Sequence, residues 1–72
     1  MAITEDDLRN WFTYHAPGAD DLPKYQAIRE AGKAFAAVIV ANAPVSPDTT
    51  AAVRKVREAV MTANQAIACK GE

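Results

Sequence analysis

Leu22-Pro-Lys-Tyr-Gln-Ala-Ile-Arg-Glu-Ala-Gly-Lys-Ala-Phe-Ala-Ala-Val-Ile-Val-Ala-Asn42 is the stretch whose reading decides the fold. Tyr25, Ile28, Gly32, Phe35 and Ile39 recur at steps of three and four, which places them on one face of a helix about 30 Å long. A second stripe, Ala27, Ala31, Ala34, Val38 and Ala41, runs beside the first and consists of small side chains that let another backbone come close. A helix apolar over so wide an arc needs more than one neighbour to cover it.

The first neighbour follows directly in the chain. Pro44 cannot continue the helix, Ser46 is a natural N-cap, Pro47 suits a first helical position, and Asp48 complements the positive end of a new helix. From Pro47 to Cys69, Val53, Val56, Val60, Ala63 and Ile67 repeat the three-and-four spacing. Two long helices joined by so short a turn must lie antiparallel. The expected architecture is all-α, with long helices over 22–42 and 47–69 and a short helix over 3–12, all in one domain spanning residues 1–72.

The N-terminal segment supports the short helix. Thr4 can cap it, and Glu5, Asp6 and Asp7 supply the acidic first turn. Leu8, Trp11 and Phe12 form an apolar edge expected to dock onto the hairpin or onto a neighbouring subunit. Isolated helices shorter than about 12–15 residues are marginal in water. Thr13 to Asp21 reads as a loop broken by Pro17 and Gly18, with Asp20 or Asp21 capping the following helix.

Composition narrows the function. The chain has 72 residues and one cysteine, Cys69, so no internal disulfide can form, and it lacks the Cys/His cluster of a structural zinc site. A domain this small, without disulfide or metal, is stabilised most readily by oligomerisation. A net charge of −1 argues against a duplex DNA or RNA binder, which usually carries a basic excess. No apolar run suits a membrane span, and the acidic start differs from a signal peptide, so a soluble intracellular protein is expected.

The polar residues point to a binding module. Trp11, Phe12, Tyr14 and His15 place four flat side chains within five positions. Tyr14 and His15 either pack over the hairpin end or present a ring for stacking against a nucleobase, an interaction worth about 1–3 kcal/mol. Arg29 and Lys33 stand one turn apart, a like-charge pair that either is screened by Glu30 and solvated or faces a bound anion.

On the last helix, Arg54, Arg57, Met61, Asn64 and Ala68 form a stripe beside the apolar seam. Arg54 either pairs with Glu58 or contributes to a site, and Asn64 either fixes register or binds. Lys70 either favours the negative helix end or reaches a ligand in a neighbouring subunit. His15 has no serine or cysteine nearby in sequence, no glycine-rich phosphate loop is present, and Gly32 reads as a close-packing residue. Neither catalysis nor a cofactor is expected.

The succession FTYHAP, KYQAIREAGKAFA, VSPDT and VRKVREAVMTANQAIA resembles the small phage anti-CBASS sponge proteins and the related helical hairpin of phage Thoeris anti-defence sponges. The likeness runs from Phe12 to Ala68. It implies a compact helical homo-oligomer, typically a hexamer, in the host bacterial cytoplasm. Such an assembly sequesters cyclic di- or trinucleotide immune messengers, or cyclic ADP-ribose isomers, without cleaving them. Carried onto this sequence, the resemblance implies an intersubunit pocket using Tyr14, His15, Arg29 and Lys33, and a second, threefold site using Thr62, Asn64 and Lys70. Two readings of other classes are an oligomeric structural protein with no nucleotide ligand and a hydrolase of the same messengers.

Overall fold

The computed structural model describes residues 2–71, and among them the regular structure is entirely helical. Helix α1 spans Glu5–Phe12, α2 spans Leu22–Asn42 and α3 spans Pro47–Ala68. The expected start of α1 at residue 3 is corrected: Thr4 is extended (φ −96°, ψ 166°) and forms a capping box with Asp7. The Thr4 side chain accepts from the Asp7 amide at 3.1 Å, and the Asp7 carboxylate accepts from the Thr4 amide at 3.0 Å. Two amide donors at the helix end are thereby satisfied.

Ser46 caps α3 as its position suggested, accepting from the Thr49 amide at 3.2 Å, with Pro47 in the first turn. The helix closes at Ala68, one residue earlier than expected, because the chain turns into a left-handed Schellman stop. Lys70 has φ 56°, its amide donates to the Ile67 carbonyl at 3.1 Å, and the Gly71 amide donates to Ala66 at 2.9 Å. The start of α2 differs from expectation in another way. Asp21 occupies the N-cap position without a side-chain cap bond, since its carboxylate accepts instead from the Gly18 amide at 3.2 Å. This bond, with the Asp21 amide donating to the Gly18 carbonyl at 3.0 Å, closes the loop onto α2.

Helices α2 and α3 pack as the antiparallel hairpin. Ile28, Gly32 and Ile39 on α2 face Val53, Val56, Val60, Ala63 and Ile67 on α3, all partly buried along the seam. Phe35 does not join them. It remains 60% exposed and Ala36 is the partly buried residue at that turn, because a stripe with a period near 3.6 drifts across a seam only one helix wide.

At Gly32 the backbones come closest. A β-carbon placed there would lie 2.5 Å from Cγ2 of Val60 and 3.8 Å from Cγ1 of Val56. Valine is β-branched and stiff about χ1, so it has little room to retreat. Gly32→Ala is therefore expected to destabilise the hairpin by about 1–3 kcal/mol despite alanine's better helix propensity. Val60→Ala in the same chain should recover part of the loss. Equal melting temperatures for wild type and the single variant would show that the contact is not tight.

The described chain has almost no interior. Cys69, at 3% exposure, is its only buried hydrophobic residue. The accessible surface of 5944 Å² exceeds the roughly 4,300 Å² of a compact monomer of this size. The radius of gyration is 15.2 Å, against about 11 Å for a globule of equal length. Its extents of 44 × 31 × 17 Å describe a slab about one helix layer thick.

Of the apolar edge of α1, Trp11 is half-buried and shares a hollow with Thr62, Ala66 and Cys69, whereas Leu8 and Phe12 stay exposed, at 46% and 84%, and polar ties add to the docking. The Gln65 amide donates to the Trp11 carbonyl at 3.0 Å, and the Asn10 amide donates to the Cys69 carbonyl at 3.4 Å.

Candidate nucleotide-binding face

The hairpin seam divides the slab into two unlike faces. On one side lies an apolar groove of about 550 Å³, formed by Ile28, Ala31, Gly32, Phe35 and Ile39 against Ala52, Val56, Ala59, Val60 and Ala63, with Lys55 at its edge. On the other side run two adjoining polar clefts. Gly32, Val56 and Val60 line both the groove and one of these clefts, so the seam itself is the partition.

The first polar cleft, about 390 Å³, is aromatic. Tyr14 and His15 arrive from the loop, Tyr25 from α2, and Met61, Asn64, Gln65 and Ala68 from α3, with Thr13 at the rim. Tyr14 is 83% exposed, so its ring is presented to solvent and not spent on packing. His15 is held in place: its Nε2 lies 2.7 Å from the Asn10 carbonyl oxygen. A carbonyl only accepts, so Nε2 carries the hydrogen and Nδ1 is left for another partner. The loop geometry follows from the α1 end, where the Asn10 carbonyl also accepts from the Cys69 thiol at 3.6 Å.

The second polar cleft, about 270 Å³, is cationic. Arg29, Lys33 and Arg57 line it, with Gly32, Ala36, Val56, Val60 and Met61 as its floor. Glu30 makes no ion pair with Lys33, and its carboxylate accepts from the Gln26 amide at 3.1 Å. Among the described residues the ion pair is Arg9–Asp6 at 3.2 Å, and Arg29, Lys33, Arg57 and Arg54 form none. The suggested Arg54–Glu58 pair is accordingly not formed. Three like charges on two facing helices repel one another, and an anion placed among them removes that cost.

Met61 lines both polar clefts and joins them. The helical arithmetic explains the layout. Arg57, Met61, Asn64 and Ala68 follow steps of four, three and four on α3, and Tyr25, Arg29 and Lys33 follow steps of four on α2, so each helix contributes one continuous wall. The result is a surface that stacks a flat ring at one end and attracts negative charge at the other.

The residues expected at a second site do not share one cleft in the single chain. Thr62 lines a hollow with Trp11, Gln65, Ala66, Cys69 and Gly71, and Lys70 sits at the left-handed turn between two of these residues. Asn64 lies with Tyr14 and His15 instead. Two positions along a helix rotate a side chain by about 200°, which puts Thr62 and Asn64 on opposite faces.

The Cys69 thiol is buried, accepts from the Gln65 amide at 3.1 Å and donates away from the clefts. Among the described residues no cluster of three or more His, Cys, Asp or Glu could hold a metal ion, and no helix is long and apolar enough to cross a membrane. Sequence reasoning had placed Tyr25 in the apolar seam and passed over Gln65. The signal for Tyr25 was its position one turn before Arg29, and for Gln65 there was none, since its partner on α1, the Trp11 carbonyl, lies 54 residues away.

Comparison with known families decides the kinship: the model described as Acb2/Tad1, hairpin domain, matches residues 4–68. The chain belongs to the Acb2/Tad1 hairpin family. The resemblance to anti-CBASS and Thoeris anti-defence sponges drawn from its sequence is thereby supported over nearly the whole chain. No curated protein and no solved structure matches it. All residues that line the two polar clefts and the apolar groove lie within the segment matched to the Acb2/Tad1 hairpin.

Proposed function

We propose that this Acb2/Tad1 hairpin protein is an anti-defence sponge that binds a cyclic nucleotide messenger and withholds it from its receptor without cleaving it. The observation that carries the reading is the meeting of the aromatic and cationic clefts at Met61. A cyclic dinucleotide or trinucleotide has the same two chemistries, flat bases and a phosphodiester ring, held at a fixed separation. Tyr14 and Tyr25 offer stacking surfaces, and Arg29, Lys33 and Arg57 offer charge-assisted hydrogen bonds to phosphate oxygens. Cyclic ADP-ribose isomers carry the same elements and are the alternative ligand class.

Self-association completes the proposal. The excess of about 1,600 Å² over a compact monomer matches each chain's share of roughly two standard protein interfaces. A hexamer, with each subunit touching more than one neighbour, accommodates that area. The groove along Phe35 and the small stripe at Ala27, Ala31, Ala34, Val38 and Ala41 are the surfaces to be covered, and all six residues are exposed in the single chain. Thr62, on the other side of α3 from Asn64, and Lys70, in the turn that follows α3, are the residues proposed for a second site formed between subunits. The host bacterial cytoplasm, where such messengers are made, is the proposed place of action.

Sequestration is tested by recovery of the ligand. The protein is mixed with a panel of cyclic di- and trinucleotides and cyclic ADP-ribose isomers, free ligand is measured, and the mixture is then heat-denatured. Depletion followed by return of intact ligand is the expected result. A degraded product would identify a hydrolase, and no depletion with any member of the panel would leave only a structural role.

A further inference from the structure

Asn64 carries a feature that packing does not account for. Its Oδ1 is closed to solvent and has no hydrogen-bond donor, the one such buried side-chain atom among the described residues that are not exposed. Gln65, His15 and Thr13, which share its cleft, direct their donors elsewhere, and neither tyrosine hydroxyl of the cleft reaches it. The Gln65 amide is bound to the Trp11 carbonyl and the Cys69 sulfur, His15 Nε2 to the Asn10 carbonyl, and the Thr13 hydroxyl to the Arg9 carbonyl. An unpaired acceptor of this kind costs stability unless a donor arrives from outside the chain.

The cleft shows which kind of donor fits. Asn64 lies beside Tyr14, His15 and Tyr25, so a flat ring stacked there presents its edge to α3. The cations sit at the other end, beyond Met61, and the phosphates belong with them. The terminal torsion of asparagine is broad and twofold, so the carboxamide can turn its oxygen into the cleft. A carboxamide pairs in two places with adenine, accepting from the exocyclic amine and donating to a neighbouring ring nitrogen.

Resting on the sponge reading, we infer that Asn64 reads the base edge of the messenger and that the cleft selects an adenine-containing cyclic nucleotide through its amino group. The assignment moves Asn64 from a second site to the stacking site and gives it a role in specificity.

The test is a coupling measurement with two ligands, cyclic di-AMP and the matching cyclic dinucleotide of purine riboside, which lacks the amine. For wild type, loss of the amine is expected to weaken binding by about tenfold, the cost of leaving a site's polar group unpaired. Asn64→Leu should bind the two ligands equally. Asn64→Asp, which keeps an acceptor, should retain the preference even where its charge lowers both affinities, and circular dichroism confirms that each variant is folded. A preference that persists undiminished in Asn64→Leu overturns the inference while leaving the sponge intact, and points to a donor from a neighbouring subunit as the partner of Oδ1. Equal binding of the two ligands by wild type overturns it too. Failure of wild type to bind any cyclic nucleotide removes the sponge reading and the inference together.

Discussion

Phe35→Asp is expected to convert the proposed oligomer to monomers at micromolar concentration, with a loss of helical signal, measured by light scattering on a sizing column and by circular dichroism. Phe35 is 60% exposed on a single chain yet forms a wall of the apolar groove. Burying an aromatic side chain contributes about 1.5–3 kcal/mol, and a carboxylate in its place brings a further desolvation cost at each copy of the contact. Helix content should fall with the proposed assembly because, among the described residues, a single chain buries only Cys69 of its hydrophobic side chains. An unchanged oligomer mass in the variant would show that this groove is not the surface on which copies meet.

The second large effect concerns ligand affinity. Arg29→Ala and Tyr14→Ala are each expected to weaken cyclic dinucleotide binding by at least tenfold, about 1.4 kcal/mol, in isothermal titration, with the oligomer preserved. Arg29 has no carboxylate partner among the described residues, so its removal breaks no ion pair, and its charge faces the same cleft as Lys33 and Arg57. The highly exposed Tyr14 ring contributes little to packing, which separates a loss of stacking from a loss of fold. Arg54→Ala is the internal control, since Arg54 lines none of the clefts described above and should leave affinity nearly unchanged. Wild-type affinity in both Arg29→Ala and Tyr14→Ala would take these residues out of the site.

The two experiments probe opposite faces of the hairpin. The first asks whether an uncovered apolar face drives association, and the second whether the opposite face binds phosphate and base. Gly32 connects them, because the close approach of α2 to α3 at Val60 sets the spacing of Arg29 and Lys33 from Arg57 across the cationic cleft. A bulkier residue at Gly32 is thus expected to disturb binding as well as stability.

The hairpin was legible in the sequence because its determinants are local. Thr4 and Ser46 cap their helices with side chains three residues from the amides they satisfy, and Pro44 and Pro47 fix the turn through their own ring geometry. The valine stripe on α3 states its period within a single helix, and Gly32 announces a close contact without naming the partner. The aromatic loop and the Arg29–Lys33 pair were likewise visible as residue types at telling spacings.

What only the tertiary structure decided depends on pairs far apart in the chain. That Asn64 belongs with Tyr14 and His15 and not with Thr62, that Phe35 leaves the seam while Ala36 enters it, and that α1 is tied by Asn10 and Gln65 instead of by Phe12 all follow from how two helices are rotated against each other. Periodicity fixes which residues share a face, but the rotation that aims each face is set by contacts between helices, and at Gly32 and Val60 it is set by the absence of a single β-carbon.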